Sequence, residues 1–173
     1  MQEIPVNSER ERPKVVFDCN VFLQGVVKEK GPAVDCLELF EQGEIELFIS
    51  KELLDEVRDV LARPMLQAKF PLLTDERADR LIETLLKQAT FINPVPRKFS
   101  YSRDPKDEPY VNLAAAAGAV YLVSRDNDLL DLMIGITIEC KEFRQRFRPL
   151  NVIDPNEFLI VMRSLRNQDQ TSE

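Results

Sequence analysis

Histidine is absent from this 173-residue chain. That absence excludes Ser-His-Asp and Cys-His catalysis and removes the commonest zinc ligand. Cysteine is scarce: Cys19, Cys36 and Cys140 lie far apart. Such a set builds neither a disulfide framework nor a zinc knuckle, and the three thiols are expected as buried, inert fillers. Neither G-x-G-x-x-G nor G-x-x-x-x-G-K-[ST] occurs, so the usual nucleotide cradles are missing. No apolar run is long enough to span a bilayer. The N-terminal MQEIPVNSERERPK lacks the apolar stretch of a signal peptide. The expected location is the cytoplasm, with no membrane contact.

What remains is ordinary for a soluble globular protein, with 44% hydrophobic and 31% charged residues. The length fits one domain with a substantial core. Aspartate and glutamate number 30 against 23 lysines and arginines, a net charge of −7. This balance repels nucleic acid at long range and argues against a simple DNA-binding module. It leaves room for a local basic patch. With no histidine, acid–base chemistry or metal binding has to rest on carboxylates.

The pattern along the chain alternates strands and helices. A polar tail over 1–13 precedes a single domain over 14–166, and 167–173 is a polar C-terminal tail. Strands are expected at 14–18, 45–50, 90–96 and 119–124, with weaker ones at 136–140 and 151–153. Helices are expected over 20–27, 32–42, 51–62, 74–88, 108–117 and 155–165. Ser50 caps one of them, and Pro64 closes it. Gly43 and Gly118 sit just past the ends of two others. Alternation of this kind predicts an α/β fold, a mostly parallel central sheet with helices on both faces.

In open α/β sheets, sites form outside the carboxyl ends of the strands. Asp18 ends the first strand. Asp107 precedes the helix after the third, and Asp126 and Asp128 follow the fourth. Glu56 lies in the second turn of the helix after the second strand, partly on its inward stripe, where a carboxylate needs a partner. Packed carboxylates repel one another, and a hard divalent cation removes the conflict. Two such ions can clamp the attacking and leaving oxygens of a phosphodiester displacement.

These residues resemble the PIN domain family of metal-dependent ribonucleases. The matching pieces are V-V-F-D-C-N-V-F (15–22), K-E-L-L-D-E-V (51–57), D-E-P-Y-V-N-L-A-A-A-A-G (107–118) and A-V-Y-L-V-S-R-D-N-D-L-L (119–130). The resemblance is nearest to the VapC-like subgroup, the toxin components of toxin–antitoxin systems. It implies a Rossmann-like α/β/α sandwich. It implies Asp18, Glu56, Asp107 and Asp126 as catalytic and metal-binding acids for one or two Mg²⁺ or Mn²⁺ ions, with Asp128 as a further ligand. Asn20 and Ser124 match positions that orient the first Asp and the site. The implied activity is endonucleolytic hydrolysis of single-stranded RNA, the implied partners an antitoxin protein and a second copy in a homodimer. Asp104 lies near Asp107. The latter is preferred because Tyr110, Leu113, Ala114 and Ala117 then form one buried helical face leading to Gly118.

Plainer readings compete. Asp107 can be only a helix N-cap, Asp18 a strand end, and Asp126 to Asp128 a turn. Asn20 can be only a cap, and Glu56 a surface acid paired with Arg58 or Arg63. Arg97, Lys98, Arg103 and Arg125, with Lys106, suit a phosphate chain whose bases stack on Phe99 or Tyr101, or else a solvated loop. A second basic cluster lies over 141–148. The alternative function is a catalytically silent PIN-like scaffold that binds RNA or protein.

Overall fold

Short β-branched and aromatic runs build the sheet of the computed structural model, which describes residues 11–172. Strand β1 (Lys14–Phe17) is buried from Val15 onward, and β2 (Glu46–Ile49) from Leu47 onward. Strands β3 (Thr90–Phe91), β4 (Tyr121–Val123) and β5 (Asn151–Ile153) complete a five-stranded sheet in the order β3-β2-β1-β4-β5. Every pairing is parallel. Buried apolar runs of this kind are what a sheet covered on both faces requires. The expected tail over 1–13 falls largely on residues 1–10, outside the described residues.

Helices fill the connections. After β1 come α1 (Cys19–Val27) and α2 (Pro32–Glu41), and after β2 come α3 (Lys51–Leu61), α4 (Pro64–Lys69) and α5 (Asp75–Gln88). A single 3-10 turn (Pro105–Asp107) leads into α6 (Glu108–Ala117), which packs across β1, β2 and β4. Short α7 (Asn127–Leu130) and then α8 (Ile138–Arg146) join β4 to β5, and α9 (Pro155–Gln170) follows β5. Helices α1 to α5 pack on one another, while α6 packs on the sheet; with this strand order the right-handed crossover rule places the two sets on opposite faces. Helix α6 ends where Gly118 turns left-handed, at φ +64.

Some expectations were overtaken by tertiary structure. Pro64 does not merely end α3; it opens α4, where its fixed φ suits the first helical turn. Strand β3 stops at Phe91, because Pro94 and Pro96 lack the N–H groups a ladder needs. The strand expected over 136–140 is the entry to α8: the Thr137 hydroxyl accepts from Cys140 N at 3.2 Å and caps it. Helix α9 continues past residue 165 to Gln170. All three cysteines are buried and unpaired. Among the described residues no helix is long and apolar enough to cross a membrane.

The segment between β3 and α6 has little regular structure, yet it is anchored. Asn112 on α6 is buried, and its Oδ1 accepts from Lys98 N and Phe99 N, both at 2.8 Å, while Nδ2 donates to Phe99 O. Phe99 packs edge-on against Phe143 and Phe147. Asn112→Ala leaves two backbone donors without their acceptor. The expected cost is about 2–4 kcal/mol, read as a lower thermal midpoint, at about 2–4 °C per kcal/mol for a domain of this size. An unchanged midpoint would contradict this anchoring.

Candidate metal centre

The sheet order reverses between β1 and β4, the place where the connections leave in opposite directions and open a crevice. Asp18 stands at the end of β1 and Asp126 just past β4, one on each side of that crevice. A cavity of about 420 Å³ opens there, and its lining includes Asp18, Glu56, Asp104, Asp107 and Asp126. Carboxylates from four separate parts of the chain thus share one space.

Each acid is held differently. Asp18 is buried; its Oδ2 accepts from Ser124 Oγ at 2.7 Å and its Oδ1 from Asn20 N at 3.4 Å. Ser124 also accepts from Asp126 N at 2.9 Å, so one buried hydroxyl ties the ends of β1 and β4 together. It is the backbone of Asn20 that reaches Asp18, while the Asn20 side chain stands exposed at the lip of the cavity. Asp126 caps α7, its Oδ1 accepting from Asp128 N at 2.8 Å. Asp104 caps the 3-10 turn through Lys106 N.

Glu56 departs from expectation. The buried stripe of α3 is Leu53, Leu54, Val57 and Leu61, and Glu56 lies on its exposed flank. Its partner is neither Arg58 nor Arg63: Arg63 pairs with Asp59, and Glu56 Oε2 accepts from the Tyr110 hydroxyl at 2.7 Å. Burial pushes the Tyr110 phenol far up, so it stays a neutral donor.

Asp107 is the anomaly. It is 5% exposed, and its Oδ2 has no hydrogen-bond partner. The capping role open to it in the sequence is unused, because its side chain bonds no helix N–H. One carboxylate oxygen of each of Asp104, Asp107, Asp126 and Asp128 lies within 4.8 Å of the others. Burial first, then the charges of Asp126, Asp104, Asp18 and Asp128, raise the Asp107 carboxyl to about 8. Burial likewise raises Asp18, against the Ser124 hydrogen bond that favours its charged form. A buried, unpaired carboxylate oxygen among like charges lacks a counter-charge. The donor set is wholly oxygen and hard, which fits Mg²⁺ or Mn²⁺. The Cys19 thiol at the cavity wall is pushed up to about 12, chiefly by burial, and so offers no thiolate.

The basic residues separate. Arg125 and Lys106 line the acidic cavity. Arg97 lines a different one with Ser50 and Glu52, and Lys98 is exposed. Arg103 is committed within the fold: Nε pairs with Asp128 Oδ1 at 2.6 Å and Nη1 with Asp131 Oδ2 at 2.8 Å. Phe99 and Tyr101 are 4% and 1% exposed, so neither offers a ring for base stacking. They belong to the aromatic core, and Tyr101 donates its hydroxyl proton to Asp128 O at 2.7 Å. Asp104, passed over in favour of Asp107 on the sequence pattern, stands three residues before it, and a 3-10 turn carries both carboxylates to one cluster.

An all-parallel α/β sheet carries an acid-lined crevice at its reversal point, and the oxygen donors there could hold a hard cation. Residues 14–128 match the PIN domain family, and the chain belongs to it. It is also 27% identical over 151 residues, 87% of this chain and 92% of the relative, to the uncharacterized protein MJ1680 of Methanocaldococcus jannaschii. PIN domains are nucleases that generally use divalent metals, and the four-aspartate cluster is compatible with that chemistry.

Proposed function

We propose that the protein is a divalent-metal-dependent endoribonuclease hydrolysing phosphodiester bonds of single-stranded RNA. The observation that carries this is Asp107 Oδ2, buried and unpartnered inside a four-aspartate cluster. Asp104, Asp107, Asp126 and Asp128 would hold one Mg²⁺ or Mn²⁺ ion, with Asp18 and Glu56 across the same cavity available to a second. When bound, the cation supplies charge neutralisation, Lewis acidity at a phosphoryl oxygen and a water of lowered pKa.

The chain's own groups do the rest. Ser124 fixes the Asp18 carboxylate against β4, and Tyr110 fixes Glu56. Arg125 and Lys106, on the cavity lining, meet the incoming phosphates and offset a net charge of −7 that repels nucleic acid at long range. A flexible single strand can lower one phosphate into the recess where Asp107 is buried, whereas a duplex keeps its phosphates on a stiff outer rail. The restriction to RNA, a role as the toxin of a toxin–antitoxin pair and a homodimeric state are proposed on the family resemblance alone, and a cytoplasmic location on the sequence pattern.

One oligonucleotide sequence tests the substrate class, supplied as end-labelled single-stranded RNA, as RNA duplex and as single-stranded DNA, each with Mn²⁺. Internal cleavage of the single-stranded RNA alone is expected. Equal cutting of the DNA would reject the restriction to RNA, and no cutting of any strand would reject the nuclease reading.

A further inference from the structure

Tyr110 joins three acid-bearing elements through one hydroxyl. It sits on α6, three residues after Asp107, and is buried at 3% exposure. Its hydroxyl oxygen accepts from Cys19 N, the residue following Asp18, at 3.3 Å, and its proton goes to Glu56 Oε2 at 2.7 Å. Helix α3 otherwise presents Glu56 on its exposed flank, where a glutamate is free to swing among rotamers in solvent. The Tyr110 bond is the contact that draws this carboxylate toward Asp18, Asp107 and Asp126.

We propose that Tyr110 is a positioning residue: its hydroxyl holds Glu56 over the acidic cavity, so that Glu56 contributes to cation binding only while that hydrogen bond is made. This rests on the metal-dependent reading above. The physical grounds are general. Groups that hydrogen-bond a ligating carboxylate fix its orientation, and losing one typically costs about 10–100-fold in metal affinity. A phenol is suited to the task, because its hydroxyl carries one proton to donate and an oxygen that can accept at the same time, as it does here between Glu56 Oε2 and Cys19 N.

The test is a double-mutant cycle on Mn²⁺ binding, followed by electron paramagnetic resonance of the free ion, and needs no turnover. Tyr110→Phe keeps the ring and removes only the hydroxyl; about a tenfold loss of affinity is expected. Glu56→Gln is expected to lose at least as much, and the double variant no more than about twofold beyond Glu56→Gln alone. Glu56→Asp provides a second arm at an exposed position that threatens no core. It keeps the charge but withdraws it from the hydroxyl, so it should match Tyr110→Phe, and adding Tyr110→Phe should cost nothing further. Wild-type affinity in Tyr110→Phe, or losses that multiply in the double variants, would overturn the positioning role while leaving the metal site standing. No Mn²⁺ binding by the wild type would overturn both.

Discussion

Asp107→Asn should raise the melting temperature of the metal-free protein and remove the further rise that Mn²⁺ gives the wild type. The first effect follows from burial. Asp107 is 5% exposed, with an unpartnered Oδ2 and acids on several sides, so its charge is unfavourable in the fold. Asparagine keeps the shape and discards the charge. The expected gain is on the order of 1–3 kcal/mol near pH 8, or about 2–4 °C per kcal/mol. The second effect follows from mass action: an ion at a hundred times its Kd would stabilise the wild type by about 2.7 kcal/mol, and the variant lacks the carboxylate proposed as the central ligand. Thermal melts with EDTA and with Mn²⁺ read both. A variant that melts below the wild type in EDTA would mean that the Asp107 carboxylate is structural.

The affinity for Mn²⁺ should fall about tenfold for each pH unit below 8 and level off above it. Asp107 has to lose a proton to ligate, and its carboxyl is raised to about 8. Metal-free stability should run the other way. Between the ordinary value of 3.8 and about 8, the folded chain holds a proton at Asp107 that the unfolded chain has released. This group's contribution is therefore most favourable below the unfolded value and is lost as pH rises through the folded one. Asp18, also raised, adds to the same slope. Calorimetric Mn²⁺ titrations from pH 6 to 9 check the prediction; a pH-independent affinity would place the ion away from Asp107.

Much of this was legible in the residues because it depends on local chemistry. The runs at Val15, Leu47 and Leu122 are strands because β-branched and apolar side chains fit a doubly covered sheet, and strand order then carries Asp18 and Asp126 to one crevice. Asp107 was legible through the helical spacing from Tyr110 to Ala117, all on the buried face of α6. What escaped depends on distant partners. Phe99 and Tyr101 read as exposed aromatics beside cations, but α8 brings Phe143 against Phe99 and the rings turn inward. Arg103 read as a free cation until the turn after α7 placed Asp131 beside it. Residues 136–140 carry a strand-like alternation, yet the Thr137 cap starts a helix there and leaves Ile136 and Ile138 exposed at 85% and 84%. The spacing of Tyr110 marks a core residue, while the Glu56 its hydroxyl meets is 54 residues earlier in the chain.

Single-turnover cleavage of an end-labelled, mixed-sequence single-stranded RNA tests directly whether the acids at the end of the sheet form a metal-dependent nuclease centre. Wild type and Asp107→Asn would be compared in Mn²⁺, in Mg²⁺ and in EDTA. Internal cuts by the wild type are expected with either metal and none in EDTA, with a loss of at least about a hundredfold in the variant, the scale of removing one group that stabilises charge in a reaction. Cleavage that persists in EDTA, or that Asp107→Asn leaves untouched, would show that the acids at the end of the sheet are not the catalytic centre.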